Sequence, residues 1–191
     1  MFMIYEEKNF LSVETCQEII EVYGNGLSPS SVLSTETGEV DNRYRIANSC
    51  WIPDEKLDSI KYIKQKIAEH TGLPVENQES PHLVRYDIGG KYEPHNDYFL
   101  QTEEPTYTNQ CVNRGGQRAY TCIIYLNEGF FGGETDFPQI NLSIKPEEGK
   151  FVYWKNMEGS EPITQSLHAA LPIKEGTKWV LIIWVRENKF T

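Results

Sequence analysis

The hydrophobic rhythm of the chain changes near residue 80. Before it, apolar residues recur every three or four positions; after it, they fall in short runs separated by turn residues. Cys16, Ile19, Ile20 and Tyr23 share one side of a helix that Ser12 can cap and that Gly24 to Gly26 end. Leu57, Ile60, Ile63, Lys64 and Ile67 repeat the spacing in a second helix, with Asp54 as its cap and Gly72 and Pro74 as its stop. Between the helices a polar stretch over 28–41 leads into a strand over 44–51. Further on, strands are predicted at 83–86, 93–99, 119–126, 133–137, 142–144, 150–154, 166–169 and 178–186. Strands of this number and length imply a mainly β fold, two packed antiparallel sheets or a jelly roll, with the helices bracing it from outside.

Residues 100–116 are mostly polar and form a longer connection than two neighbouring strands need. Such a segment is either a lid that closes over a substrate or a surface loop.

With 191 residues, 39% hydrophobic and 12% aromatic, the chain suits one domain over 1–191. Residues 1–80 would supply helical support and edge strands, and 81–191 the β core. The 18 basic and 28 acidic residues leave a formal net charge of -10. That balance argues against a nucleic-acid partner, whose phosphates call for a basic surface. Cys16, Cys50, Cys111 and Cys122 lack any Cys-x-x-Cys spacing, so free thiols are expected rather than a zinc site or a disulfide framework. No basic start precedes a long apolar region, no apolar run is long enough to span a bilayer, and the last residues carry no endoplasmic-reticulum retention signal. The expectation is a cytoplasmic protein without a membrane partner; oligomeric state is left open.

His95 and Asp97 sit two residues apart in Tyr92-Glu93-Pro94-His95-Asn96-Asp97-Tyr98-Phe99. In an extended segment both side chains share one face and Asn96 points away. A third ligand, His168, must come from another strand. Two histidines and one carboxylate on one face of a metal leave the opposite positions open, the pattern of a non-haem iron site. A His-x-Asp alone is common by chance, so the other histidines matter. His70 ends the second helix and complements its dipole, while His82 beside Pro81 reads as a packed or surface residue. On the strand 178–186, Lys178, Val180, Ile182 and Trp184 share a face. A lysine on an apolar face either snorkels to water or meets an anion.

These positions resemble the prolyl 4-hydroxylase type of iron and 2-oxoglutarate dioxygenase. The resemblance runs through Val84-Arg85-Tyr86, Gly89, Lys91 to Phe99, Gly115-Gly116-Gln117-Arg118, Tyr125-Leu126, Gly132 to Pro138, Lys145-Pro146, Gly149, Ser166-Leu167-His168, Pro172, Lys178-Trp179 and Trp184. It implies a cupin-like double-stranded β-helix with Fe(II) on His95, Asp97 and His168. It also implies 2-oxoglutarate anchored by Lys178, with Tyr125, Tyr86 and Thr135 as further contacts, each of which is otherwise an ordinary core residue. O2 would be the oxidant, and L-ascorbate is a candidate reductant of oxidised iron. The implied reaction is prolyl 4-hydroxylation of a peptide or protein, with release of succinate and CO2. Arg118, Trp184 and Tyr98 are candidate substrate contacts, although Arg118 could equally form a surface pair and Trp184 fill the core.

The chain departs from collagen-type members at Ala169-Ala170-Leu171, where glycine and cysteine are usual, and in lacking a separate N-terminal peptide-binding domain. A compact microbial or viral hydroxylase is the expectation. The alternatives are a hydroxylase of a free amino acid or other small molecule, and a non-catalytic sensor that binds metal and 2-oxoglutarate.

Overall fold

The helical rhythm and the strand rhythm meet on the two faces of one central sheet. A computed structural model describes residues 2–30, 44–53, 57–100 and 107–191. In chain order it contains β1 (Ile4–Glu7), α1 (Val13–Tyr23), β2 (Ser28–Pro29), β3 (Arg45–Ile46), β4 (Asn48–Trp51), α2 (Asp58–Thr71), β5 (His82–Tyr86) and β6 (Lys91–His95). After these come α3 (Tyr107–Asn113), β7 (Arg118–Tyr125), β8 (Phe131–Gly132), β9 (Thr135–Phe137), β10 (Leu142–Ile144) and β11 (Phe151–Lys155). The chain ends with β12 (Met157–Glu158), β13 (Glu161–Pro162), β14 (His168–Ala170), β15 (Ile173–Glu175) and β16 (Lys178–Arg186).

Among the described residues, the larger sheet has seven strands in the order β1-β11-β7-β16-β5-β4-β2, and the smaller has five, β10-β9-β14-β6-β3. Strand β16 lies antiparallel between β5 and β7, and its alternation divides the interior. Leu181, Ile183 and Val185 pack with Ile19 and Tyr23 of α1 and with Ile60, Ile63 and Ile67 of α2. Val180, Ile182 and Trp184 face the other way, into a second core shared with Phe137, Trp154 and Tyr86. Each fully buried isoleucine contributes about 1.5–3 kcal/mol relative to exposure. Together they hold the helices to the sheet and leave the opposite face free for chemistry.

The helix signals act as expected at two ends. The Ser12 hydroxyl accepts from the Thr15 N–H at 3.2 Å and caps α1. Gly72, at φ 71°, ends α2 in the left-handed conformation, its N–H bonded to the Ala68 carbonyl at 2.9 Å. His70 lies in the last turn of α2, with Nε2 3.0 Å from Glu7. Asp54, expected to cap α2, lies outside the described residues, as do 31–41 of the polar stretch; α2 itself begins at Asp58 after Leu57.

Elsewhere the strand boundaries move. The strand expected over 44–51 is two strands in different sheets: β3 pairs with β6, and β4 with β5. The strand expected over 93–99 stops at His95, because its partner β14 begins opposite it at His168 and the ladder has no further neighbour. The connection 100–116 contains α3, with 101–106 outside the described residues. Strand β1 pairs with β11 through mostly exposed residues, so it carries no alternation to detect. Among the described residues no helix is long and apolar enough to cross a membrane.

Candidate active site

The antiparallel pairing of β6 with β14 sets His95 opposite His168, with ring centroids 4.3 Å apart. Just past the end of β6 the chain bends at Asp97, whose Oδ1 lies 3.8 Å from His95 Nε2 and whose Oδ2 lies 3.5 Å from His168 Nε2. The candidate ligand atoms of the three residues lie within 4.8 Å of one another. So the bend, rather than a continued strand, turns the carboxylate to the histidines.

The protonation pattern follows from the partners. Nδ1 of His95 donates to the Glu93 carbonyl at 2.8 Å, and Nδ1 of His168 donates to the Ser166 carbonyl at 2.9 Å. A carbonyl only accepts, so each ring carries a hydrogen on Nδ1, and in its neutral form presents a lone pair at Nε2. Burial, and then the nearness of His168, pull the His95 pKa down to about 3. Burial would raise the Asp97 carboxyl, but His168, His95, Arg118 and a hydrogen bond from Thr121 outweigh it and hold its pKa well below the usual range. Two lone pairs and a carboxylate therefore face one small space. That donor set calls for a cation, and its composition suits Fe(II).

The three residues line a cavity of about 490 Å³, in the size range of small-ligand sites. Lys178, Val180, Ile182 and Trp184, the inward face of β16, form one wall. Lys178 is only 2% exposed, and its Nζ donates to the Gly133 carbonyl at 2.5 Å. Gly133 has φ +74°, and a Cβ there would come within 2.4 Å of Ile173 Cδ1 and 3.1 Å of Lys178 Cδ, so glycine makes room for the lysine stem. The ammonium lies 5.5 Å and 5.3 Å from the ring centroids of Tyr86 and Tyr125. Tyr125 and Thr135 hydrogen-bond through their hydroxyls at 2.7 Å. Thr135 and Tyr86 line the cavity, whereas Tyr125 is fully buried and meets it through Thr135.

Of the candidate substrate contacts, Arg118 and Trp184 line the cavity and Tyr98 does not. The bend at Asp97 and Tyr98 takes that tyrosine into the interior instead. Arg118 gives Nε and NH2 to the two oxygens of Glu79 at 2.7 and 2.9 Å, and its guanidinium lies 3.8 Å from the Trp184 ring centroid. Sequence reasoning did not place Tyr92, Arg45, Trp51 or His82 in the wall. Tyr92 stacks on His95 at 3.5 Å, with the Arg45 guanidinium 4.9 Å from its ring. Trp51, 53% exposed, stacks at 4.3 Å on His82, whose pKa burial, followed by Arg45 and Arg118, pulls down to about 3. Of the two readings of His82 the packed one holds, and it is packed into the cavity wall.

Residues 81–186 match the family model described as the 2OG-Fe(II) oxygenase superfamily. The chain belongs to that superfamily. A probable prolyl 4-hydroxylase 10 from Arabidopsis thaliana is 30% identical over 203 residues, covering 95% of this chain and 68% of the relative. A putative prolyl 4-hydroxylase from Acanthamoeba polyphaga mimivirus is 32% identical over 185 residues, covering 96% of this chain and 74% of the relative. Among solved structures, the 2OG complex of the viral collagen prolyl hydroxylase from Paramecium Bursaria Chlorella virus-1 superposes with a TM-score of 0.74 and 26% identity. That match covers 96% of this chain and 95% of the other. The oxygenase is accordingly a 2-oxoglutarate-dependent dioxygenase that uses Fe(II), 2-oxoglutarate and O2. Its jelly-roll fold is the one that the strand pattern implies.

Proposed function

We propose that this oxygenase hydroxylates a prolyl residue within a peptide or protein segment, with His95, Asp97 and His168 holding Fe(II). The relatives that bear prolyl 4-hydroxylase names support the prolyl choice. One observation favours a peptide over a free amino acid: Trp51 belongs to the cavity wall and yet is half exposed, so the wall continues onto the surface. A chain longer than the cavity can lie along it.

When bound, iron and 2-oxoglutarate supply an oxidative decarboxylation, giving succinate and CO2, that inserts one oxygen atom into a substrate C–H bond. The protein's own residues bind, orient and exclude water. Lys178 supplies the cation for the far carboxylate of 2-oxoglutarate, and the Thr135 hydroxyl, tied to Tyr125, adds a donor beside it. Tyr86 closes the same end of the cavity. The apolar side chains of Ile123, Val180 and Ile182 keep water from the cavity wall. Arg118, fixed by Glu79 and Trp184, faces the substrate as a positioned donor for a peptide carbonyl. A reducing, cytoplasmic setting fits the four free cysteines.

The test loads the protein with Fe(II) and 2-oxoglutarate without oxygen, adds a panel of proline-containing peptides, and then admits O2. Gain of one oxygen atom on proline, together with succinate release above the peptide-free background, is expected. Succinate stimulated only by free amino acids would move the substrate class, and no succinate under any condition would make the protein a binder.

A further inference from the structure

The Asp97 carboxylate is held by a chain of three hydrogen bonds that starts at a tryptophan. Trp154 Nε1–H donates to Asn156 Oδ1 at 3.1 Å, Asn156 Nδ2–H donates to Thr121 Oγ1 at 2.8 Å, and Thr121 Oγ1–H donates to Asp97 Oδ2 at 2.6 Å. We propose that Asn156 is a positioning residue: it fixes the direction of the Thr121 hydroxyl and thereby the orientation of Asp97 toward the metal. The proposal rests on the reading that His95, Asp97 and His168 hold that metal.

Donor and acceptor capacity forces each link. An indole N–H can only donate, so the amide oxygen of Asn156 must face Trp154 and the NH2 must face Thr121. That NH2 occupies a lone pair of the Thr121 hydroxyl, whose own hydrogen is then left for the carboxylate. A hydroxyl donating to an ionised carboxylate makes a short, charge-assisted bond, in agreement with the 2.6 Å separation. Trp154, Asn156 and Thr121 are essentially inaccessible, so no bulk water competes for these groups. The backbone holds Asn156 as well: its N–H donates to the Ala119 carbonyl at 2.8 Å, and its own carbonyl accepts from Ile163 at 2.9 Å.

The same indole also braces a second ligand, lying edge-on to His168 with centroids 4.8 Å apart and planes at 67°. One buried ring thus reaches two of the three metal ligands, one by packing and one through the relay. Outer partners of this kind typically change metal affinity about 10- to 100-fold when removed. A buried asparagine that merely satisfied its neighbours would instead cost stability wherever it stood, independently of Thr121.

The experiment titrates Mn(II) alone into the protein and counts the unbound ion by electron paramagnetic resonance. Thr121→Val and Asn156→Leu are each expected to weaken Mn(II) binding about 10- to 100-fold. Thr121→Ser, which keeps the hydroxyl, is expected to bind like the wild type. In the Thr121→Val background, Asn156→Leu should add no further loss, since the relay is already cut. Wild-type affinity in either single variant overturns the proposal, and so does a double variant in which the two losses add in full. Asn156→Asp, which keeps the acceptor for Trp154 and removes the donor, replaces Asn156→Leu if that variant does not fold. A wild-type protein that binds no Mn(II) would instead remove the metal reading, and the relay with it.

Discussion

Lys178 donates from a buried ammonium to the Gly133 carbonyl at 2.5 Å, and it makes no ion pair among the described residues. Burial lowers its pKa to about 7, with the charge of Glu134 opposing the shift. An ammonium placed this way lacks a directly paired counter-charge among the described residues, and the far carboxylate of 2-oxoglutarate would supply one.

The sign of the pH dependence follows. Below about pH 7 the free protein already carries the charge; above it, ligand binding must take up a proton. Affinity for 2-oxoglutarate is expected to be flat below pH 7 and to fall about tenfold per unit above it. Calorimetry in buffers of different ionisation enthalpy counts the proton, and an affinity constant between pH 7 and 9 would contradict the role of Lys178.

Lys178→Ala and His168→Ala should separate the two ligands. The first is expected to weaken 2-oxoglutarate binding roughly 10- to 100-fold, the worth of a charged hydrogen bond, while Mn(II) still binds. The second should abolish both metal binding and turnover. Equal loss of Mn(II) in the two variants would refute this division.

Glu79 neutralises two cations at once, meeting Arg118 Nε at 2.7 Å and Arg186 NH1 at 2.9 Å, all of them little exposed. Burial pushes its carboxyl up, but the two arginines prevail and its pKa is lowered. Its contribution to stability is therefore present above the ordinary carboxylate range and lost as pH falls through the lowered value. Glu79→Gln takes the ion-pair partner from two guanidiniums, and a loss of about 3–5 kcal/mol in urea unfolding is expected. A loss below about 1 kcal/mol would mean that solvent already screens the cluster.

Trp51 tests where the substrate lies. Because its ring is half exposed and stacked on His82, Trp51→Ala should leave the fold intact. It should raise KM for a peptide about 2- to 10-fold, the worth of one aromatic contact, and leave peptide-free 2-oxoglutarate turnover unchanged. An unchanged KM would place the peptide on another rim of the cavity.

Periodicity in the chain carried the larger features. Alternation alone predicts that Lys178, Val180, Ile182 and Trp184 share a face, and all four line the cavity. The spacing of Ile60, Ile63 and Ile67 likewise predicts the buried side of α2. What stayed hidden depends on register between distant strands. The pairs Arg118–Glu79 and Trp51–His82, and the relay through Asn156, form only because particular strands sit side by side at one offset. Asp97 shows the same limit, since the chain leaves the strand before it and the carboxylate arrives by a bend. The division of residues 44–51 between two sheets has no local signal either, because both halves are equally extended.

Strand β16 assigns its alternate residues to separate tasks, and this has an evolutionary corollary. Leu181, Ile183 and Val185 touch the helices and not the cavity, so exchanges of similar volume there can accumulate with little effect on catalysis. Inserting or deleting one residue between Gly176 and Lys178 would exchange the two sides of the ribbon, aiming the lysine at the helices and leucine at the cosubstrate. Volume-conserving substitution on this strand is cheap on one side, while a one-residue change in its length disturbs both.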